Sequence, residues 1–340
     1  MNMPTRALGA SGLTVSRLAL GSWRTFERIS RDEGVAVLNA AREAGISFLD
    51  DARYDDETGT APIPTGYSEI VFGEVFRASG WPRDEVVVAN KLWWEFWPEQ
   101  DAAAELDASL RRMGLDHVDV IYAESLPEGL PLDAAMEQIV GLIEAGKARA
   151  WGVLNWSADQ VLEAAQIADM ARGPAPAAAQ LPYSLIKRDV VEDDQLVRAL
   201  AAANTAVVAS YALAGGLLTG KYADEAPAAA GGGPAAGDAS GAAPQVRHAE
   251  AGKDPRFAEA VAAGREVAAL AAELQVEPAA LALAFPLLNT AVASVLFGAT
   301  RPDQIHADIA ALDLAESLDE DTAARLRAIG APRDLEVTAG

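Results

Sequence analysis

Eight times along this chain a short apolar run of strand type ends on polar side chains and gives way to an amphipathic stretch of helical period. The runs are SRLALGSW (16–23), SFLDDA (47–52), EVVVANKL (85–92), HVDVIYAE (117–124), ARAWGVLN (148–155), AAAQLPYS (177–184), TAVVASYAL (205–213) and ASVLFGAT (293–300). Helical periodicity covers 32–44, 69–78, 105–113, 132–145, 158–170, 192–203, 256–274 and 302–311, and Gly45, Gly80, Gly114 and Gly146 stand where helix ends favour glycine. Strands that alternate with helices pair in parallel, because the helix carries the chain back across the sheet before the next strand begins. Eight such units predict a closed (β/α)₈ barrel, with the whole chain, 1–340, as a single domain. A doubly wound sheet would carry a GxGxxG turn after its first strand, and none stands there. Ahead of the first run, 5–8 and 13–15 flank a glycine-containing turn and predict an N-terminal β-hairpin. The segment 223–253 is dominated by Ala, Gly and Pro, too poor in large apolar groups to pack, and reads as a mobile low-complexity loop after the seventh run.

Charge narrows the partners. With 50 acidic against 27 basic side chains the net charge is −23, which repels phosphate backbones and anionic headgroups, so neither nucleic acid nor a membrane is expected as a partner. The chain has no cysteine and only three histidines, which leaves no thiolate chemistry, no disulfide framework and no metal site to expect. The N-terminal stretch lacks the apolar core of a signal peptide and no segment reaches the length of a membrane span, so a cytoplasmic protein with a small-molecule substrate is the expectation.

Active sites of such barrels lie where strands end and loops to the next helix begin. The strand ends here deliver Ser22, Asp50 with Asp51, Lys91, Glu124, Asn155, Gln180, Ser210 with Tyr211, and the 298–301 turn. Lys91 is the most informative, since a buried strand rarely ends on lysine. Directly after it, Trp93, Trp94, Phe96 and Trp97 are placed to overhang the barrel mouth and wall a pocket for a flat apolar substrate, or to anchor the loop.

The segments LGASGLTVSRLALGSW, GISFLDDARY, YSEIVFGEVF, VVVANKL, SLRRMGLDHVDVIYAE, AGKARAWGVLNWS, QLPYSLIKR, LAGGLLTGKY and FGATRPDQIHADI resemble, in order and spacing, the signature segments of the aldo-keto reductase superfamily from about residue 7 to 330. The resemblance implies a TIM barrel enzyme that binds NADPH without a Rossmann fold and moves hydride to a carbonyl carbon. The family's catalytic set is an aspartate, a tyrosine, a lysine and a histidine; Asp50 matches the aspartate and Lys91 the lysine. A carbonyl that accepts hydride becomes an alkoxide and needs a proton on its oxygen. A phenol titrates near ~10. A neighbouring ammonium is expected to bring it toward the working range, with a carboxylate holding that ammonium in place.

Two departures follow. The family's tyrosine lies five places after the aspartate, where this chain has Asp55, so Tyr54 and Tyr67, at the far end of a long loop, are both candidates for the acid. Glu124 stands where the family has its histidine, as in the steroid double-bond reductases of the superfamily. In an apolar pocket a carboxyl group stays protonated and polarises a conjugated enone. The alternative is that Glu124 only hydrogen-bonds within the barrel. Cofactor positions carried over from the resemblance are Ser22, Trp23, Asn155 and Gln180 around the nicotinamide, with Leu154 replacing a usual serine. Ser210 and Tyr211 fall near its stacking aromatic, and Leu213, Gly215 and Leu217 along the pyrophosphate. Gly298, Ala299, Thr300, Arg301, Gln304 and Asp308 belong to the adenosine end, where Arg301 at a helix start suits the 2′-phosphate of NADPH. The expected activity is reduction of a carbonyl, or of a C=C bond conjugated to one. The alternative is an NADPH-binding regulatory module with little turnover, as in the potassium-channel β subunits that share this fold.

Overall fold

Parallel pairing closes the eight runs on themselves. In the computed structural model, which describes residues 3–57, 59–221 and 257–331, the strands are β3 (Leu18–Gly21), β4 (Phe48–Asp50), β5 (Val87–Leu92), β6 (Val120–Ala123), β7 (Ala150–Leu154), β8 (Ala178–Pro182), β9 (Ala206–Ser210) and β10 (Val292–Phe297). They form one closed barrel in which each strand is parallel to its neighbours and β10 joins β9 to β3. All eight expected strands are present, trimmed at their ends to the residues that pair. The expected low-complexity loop 223–253 lies outside the described residues.

The intervening helices α1 (Arg31–Glu43), α2 (Tyr67–Ser79), α3 (Ala102–Met113), α4 (Leu132–Glu144), α5 (Ala158–Ala171) and α6 (Asp194–Ala202) start and stop where the sequence chemistry directs. Ser30 and Glu33 make a reciprocal capping box on α1, and Ser157 with Gln160 does the same on α5. Gly80 and Gly114 cap α2 and α3 with left-handed backbones. Three helices escape the periodicity reading: Pro278–Leu287, Ala310–Ser317 and Glu320–Ala328. The first is apolar all round and buried from Ala280 to Leu287, so no amphipathic stripe marks it. No single helix among the described residues is long and apolar enough to cross a membrane.

The barrel interior decides where the site can be. Phe48, Val87, Ala89, Val120, Tyr122, Ala150, Ala178 and Val208 fill it together with Leu8, Leu13 and Val15 from the N-terminal hairpin β1 (Thr5–Ala7) and β2 (Thr14–Ser16). The Arg6 guanidinium donates to Thr290 O and Val292 O at the start of β10, which fastens that hairpin over the strand N-termini. Gly152 is required by packing: a Cβ there would stand 2.5 Å from Ala178 O and 2.8 Å from the Tyr122 ring. With one end plugged by the hairpin and an apolar interior, polar chemistry is left to the C-terminal end of the strands.

Candidate active site

Asp50 at the end of β4, Lys91 next to last in β5 and Gln180 in the middle of β8 form a buried polar layer above the apolar interior. The Lys91 ammonium donates to Asp50 Oδ2 at 2.7 Å and to the Tyr54 hydroxyl at 3.1 Å. Asp50 Oδ1 accepts from Gln180 Nε2 at 2.9 Å. Four side chains from three strands and one loop therefore form an unbroken chain, Gln180 to Asp50 to Lys91 to Tyr54. Tyr54 is packed between Trp23 and Trp93, with ring centroids 6.4 and 6.2 Å away.

The electrostatics differ from expectation in one respect. Burial would push the Lys91 ammonium down, but Asp50 and the Tyr54 oxygen outweigh it and hold Lys91 above the usual lysine range. Tyr54 moves up rather than down. Burial is the largest influence, and the opposing effect of Lys91 is offset by the carboxylates of Asp50 and Asp51. The phenol is thus kept protonated at neutral pH. Because Lys91 donates to the Tyr54 oxygen, the phenolic hydrogen is not engaged with Lys91.

Tyr67 is elsewhere. It begins α2, where its hydroxyl accepts from Arg31 Nη2 at 3.2 Å under a cation–π contact, and no contact joins it to Lys91. The loop between the two tyrosines is held by Glu57, whose carboxylate is gripped by Arg24 and Arg28 beside a shallow cleft that Trp23, Tyr54 and Tyr67 help to line. This clamp has no motif in the sequence. Asp51 is fully buried, takes a hydrogen bond from Ser22 Oγ, and keeps Oδ2 without a partner. Burial, and then Glu69, push its carboxyl well above the ordinary carboxylate range, against the pull of the Ser22 hydroxyl and the Lys91 ammonium.

Glu124 is at the same mouth, but not in an apolar pocket. It is half-buried at the end of β6, and N–H groups address both of its oxygens: Asn155 Nδ2 at 3.1 and 3.0 Å and Ser125 N at 2.9 Å. Asn155 follows β7 with a left-handed backbone, φ 60°, and is exposed. Of the four aromatics after Lys91, Trp94 is buried and anchors its loop, Trp93 meets Tyr54, and Phe96 is 47% exposed under the Arg53 guanidinium.

The remaining expected positions end or follow β3, β9 and β10 along the chain. Trp23 and Tyr211 are exposed, at 42% and 41%. Leu213, Gly215 and Leu217 belong to a tight turn in which Gly215 and Gly216 have φ of 67° and 90°. A Cβ on Gly216 would come 3.1 Å from Lys221 Nζ, so backbone and an ammonium share a cradle that a side chain would fill. Gly298 is similar, with Thr25 Oγ1 3.0 Å from where a Cβ would be. Gln304 accepts from Thr300 N and Arg301 N at 2.8 and 3.1 Å and shapes the 298–301 turn, of which Ala299 is the buried member. Arg301 forks onto Asp303 at 3.1 Å, an exposed pair worth little in water. Asp308 is buried, and burial followed by Glu277 pushes its carboxyl up to about 7. Ser210 ends β9, its carbonyl accepting from Tyr183 N at 2.9 Å. Open glycine backbone, two cations and two amide side chains around one mouth suit a ligand with phosphates and a carboxamide, and in that sense these residues fit a nicotinamide dinucleotide.

Residues 17–331 match the model of the Aldo/keto reductase family. A protein of Oryza sativa subsp. japonica named as a probable voltage-gated potassium channel subunit beta is 31% identical over 96% of this chain and 96% of its own length. One of Arabidopsis thaliana with the same name is 29% identical over 92% of each.

Proposed function

The chain belongs to the aldo/keto reductase family, and we propose that it is an NADPH-dependent oxidoreductase acting on a carbonyl, or on a C=C bond conjugated to one. The observation that carries this reading is the Lys91 ammonium touching both Asp50 and the Tyr54 hydroxyl at the C-terminal mouth of the barrel. When bound, NADPH supplies the hydride that reaches the electrophilic carbon. Tyr54 gives its proton to the substrate oxygen, and Lys91, 3.1 Å from the phenol oxygen, stabilises the phenolate left behind. Asp50 holds that ammonium in place, and its other oxygen is held by Gln180. Trp23, Trp93 and Tyr54 give the mouth apolar walls that exclude water from the exchange. The cradle at Gly216 and Lys221 suits the pyrophosphate. Arg301 suits the 2′-phosphate once that group displaces Asp303, a surface partner that salt weakens.

The test is to titrate the protein with NADPH by fluorescence and then to follow NADPH oxidation against ketones, aldehydes and enones. Oxidation with any class supports the reading, and exchange of enone for ketone reduction on Glu124→His would assign the glutamate a part in that choice. Binding without oxidation of any compound supports a second reading, a dinucleotide-binding regulatory module, which the names of the rice and Arabidopsis relatives favour.

A further inference from the structure

Two carboxylates at the mouth each take the NH₂ end of an amide. Glu124 receives Asn155 Nδ2 on both oxygens, at 3.1 and 3.0 Å, and Asp50 receives Gln180 Nε2 at 2.9 Å. Neither amide can turn over freely. Reversing Asn155 would set its carbonyl oxygen against both oxygens of Glu124 at about hydrogen-bond distance, acceptor against acceptor, and reversing Gln180 would do the same against Asp50. The Glu124 end is further tied by Ser125 N to Glu124 Oε1 at 2.9 Å, Ser125 Oγ to Asn155 O at 2.9 Å, and the Trp156 indole to Glu124 O at 2.9 Å. What each amide has left is its carbonyl oxygen, and neither Asn155 Oδ1 nor Gln180 Oε1 has a hydrogen-bond partner among the described residues. The two amides belong to neighbouring strands: Asn155 directly follows Leu154, the last residue of β7, and Leu154 pairs with Gln180 of β8.

We infer that Glu124 is a positioning residue: by taking the amide hydrogens of Asn155 it makes this side of the mouth a pair of acceptors, Asn155 Oδ1 and Gln180 Oε1, selective for a ligand NH₂ group. This rests on the dinucleotide reading above and gives Glu124 a task within it, as the residue that sets the polarity of the site toward the primary carboxamide of the nicotinamide. An NH₂ group has two hydrogens to offer to two acceptors. A methyl group of the same size in its place has none and leaves both oxygens unpaired. Asn155 without Glu124 could present either end and would discriminate less.

The experiment measures dissociation constants of the full chain, by quenching of tryptophan fluorescence, for NADP⁺ and for its 3-acetylpyridine analogue, in which CH₃ replaces the amide NH₂. Wild type is expected to bind the carboxamide form about tenfold or more tightly than the analogue. Glu124→Gln keeps the side-chain volume. Ser125 N holds its carbonyl, so its NH₂ faces Asn155 and turns that amide over; the preference is expected to fall to about threefold or less, as also in Glu124→Ala. Asn155→Ala should show the same reduced preference, and adding Glu124→Ala to it should change the preference no further, because the two act as one unit. A merely structural Glu124 would alter melting temperature or both affinities together and leave their ratio unchanged. An unchanged ratio in both Glu124 variants, or a wild type that binds the two dinucleotides equally, overturns the inference while leaving the dinucleotide reading intact. A wild type that binds neither overturns both.

Discussion

Lys91→Met removes one charge from a pair that is almost sealed from water. Lys91 is 3% exposed and Asp50 4%, and the variant leaves the Asp50 carboxylate with Gln180 as its remaining side-chain donor. Breaking a buried pair from one side costs about 3–5 kcal/mol, mainly the penalty of the stranded charge. Spread over the unfolding entropy of a chain this long, that is a fall in melting temperature of roughly 4–7 °C. The sign with pH is fixed. Asp50 without its ammonium binds a proton more readily folded than unfolded, so the deficit is largest at neutral pH and shrinks as pH falls toward the ordinary carboxylate range. In the wild type, Lys91 is held above its usual range, so its contribution is complete below that range and is lost only as pH rises through the folded value. Thermal and denaturant unfolding of both proteins between pH 5 and 9, without cofactor, measures the deficit and its fall toward low pH, while the wild-type contribution of Lys91 should stay constant over that window. Adding Asp50→Leu to Lys91→Met should recover much of the loss while leaving the protein inactive. A Lys91→Met variant that melts with wild type at neutral pH would refute the reasoning, because the pair could not then be desolvated.

Tyr54→Phe should leave dinucleotide affinity within about twofold and lower the reduction rate by roughly 10²–10⁴, measured under single-turnover conditions. The same rate in wild type should stay level through pH 9, since burial keeps the phenol protonated; a fall centred near neutrality would contradict the Tyr54 assignment. Tyr67→Phe should retain activity, its hydroxyl being bonded to Arg31 and not to Lys91. Asp308→Asn should stabilise the protein at pH 8 by up to roughly 4 kcal/mol and little at pH 4, because a carboxyl raised to about 7 opposes folding increasingly as pH climbs from its unfolded value; a stability difference that does not vary with pH would refute this. Gly152→Ala should lower stability by several kcal/mol in urea titration, since its Cβ would meet Ala178 O at 2.5 Å.

Alternation of strand and helix periods was enough to settle the barrel, because each unit must bury one sheet edge and one helix stripe and only closure leaves no edge over. Lys91 and Asp50 were legible for the same reason: a charge at the end of a buried strand is expensive unless it has a task. Local pattern carries no information about pairing across the ring. That Gln180 holds Asp50, 130 positions away, that Tyr54 and not Tyr67 reaches the ammonium, that Arg24 and Arg28 clamp Glu57, and that Glu124 meets Asn155 instead of an apolar wall depend on how strand ends converge in space. The direction in which Tyr54 titrates was likewise beyond the sequence. Naming a lysine beside a phenol predicts a fall, whereas the depth of burial and the second carboxylate, which only the closed barrel supplies, reverse it.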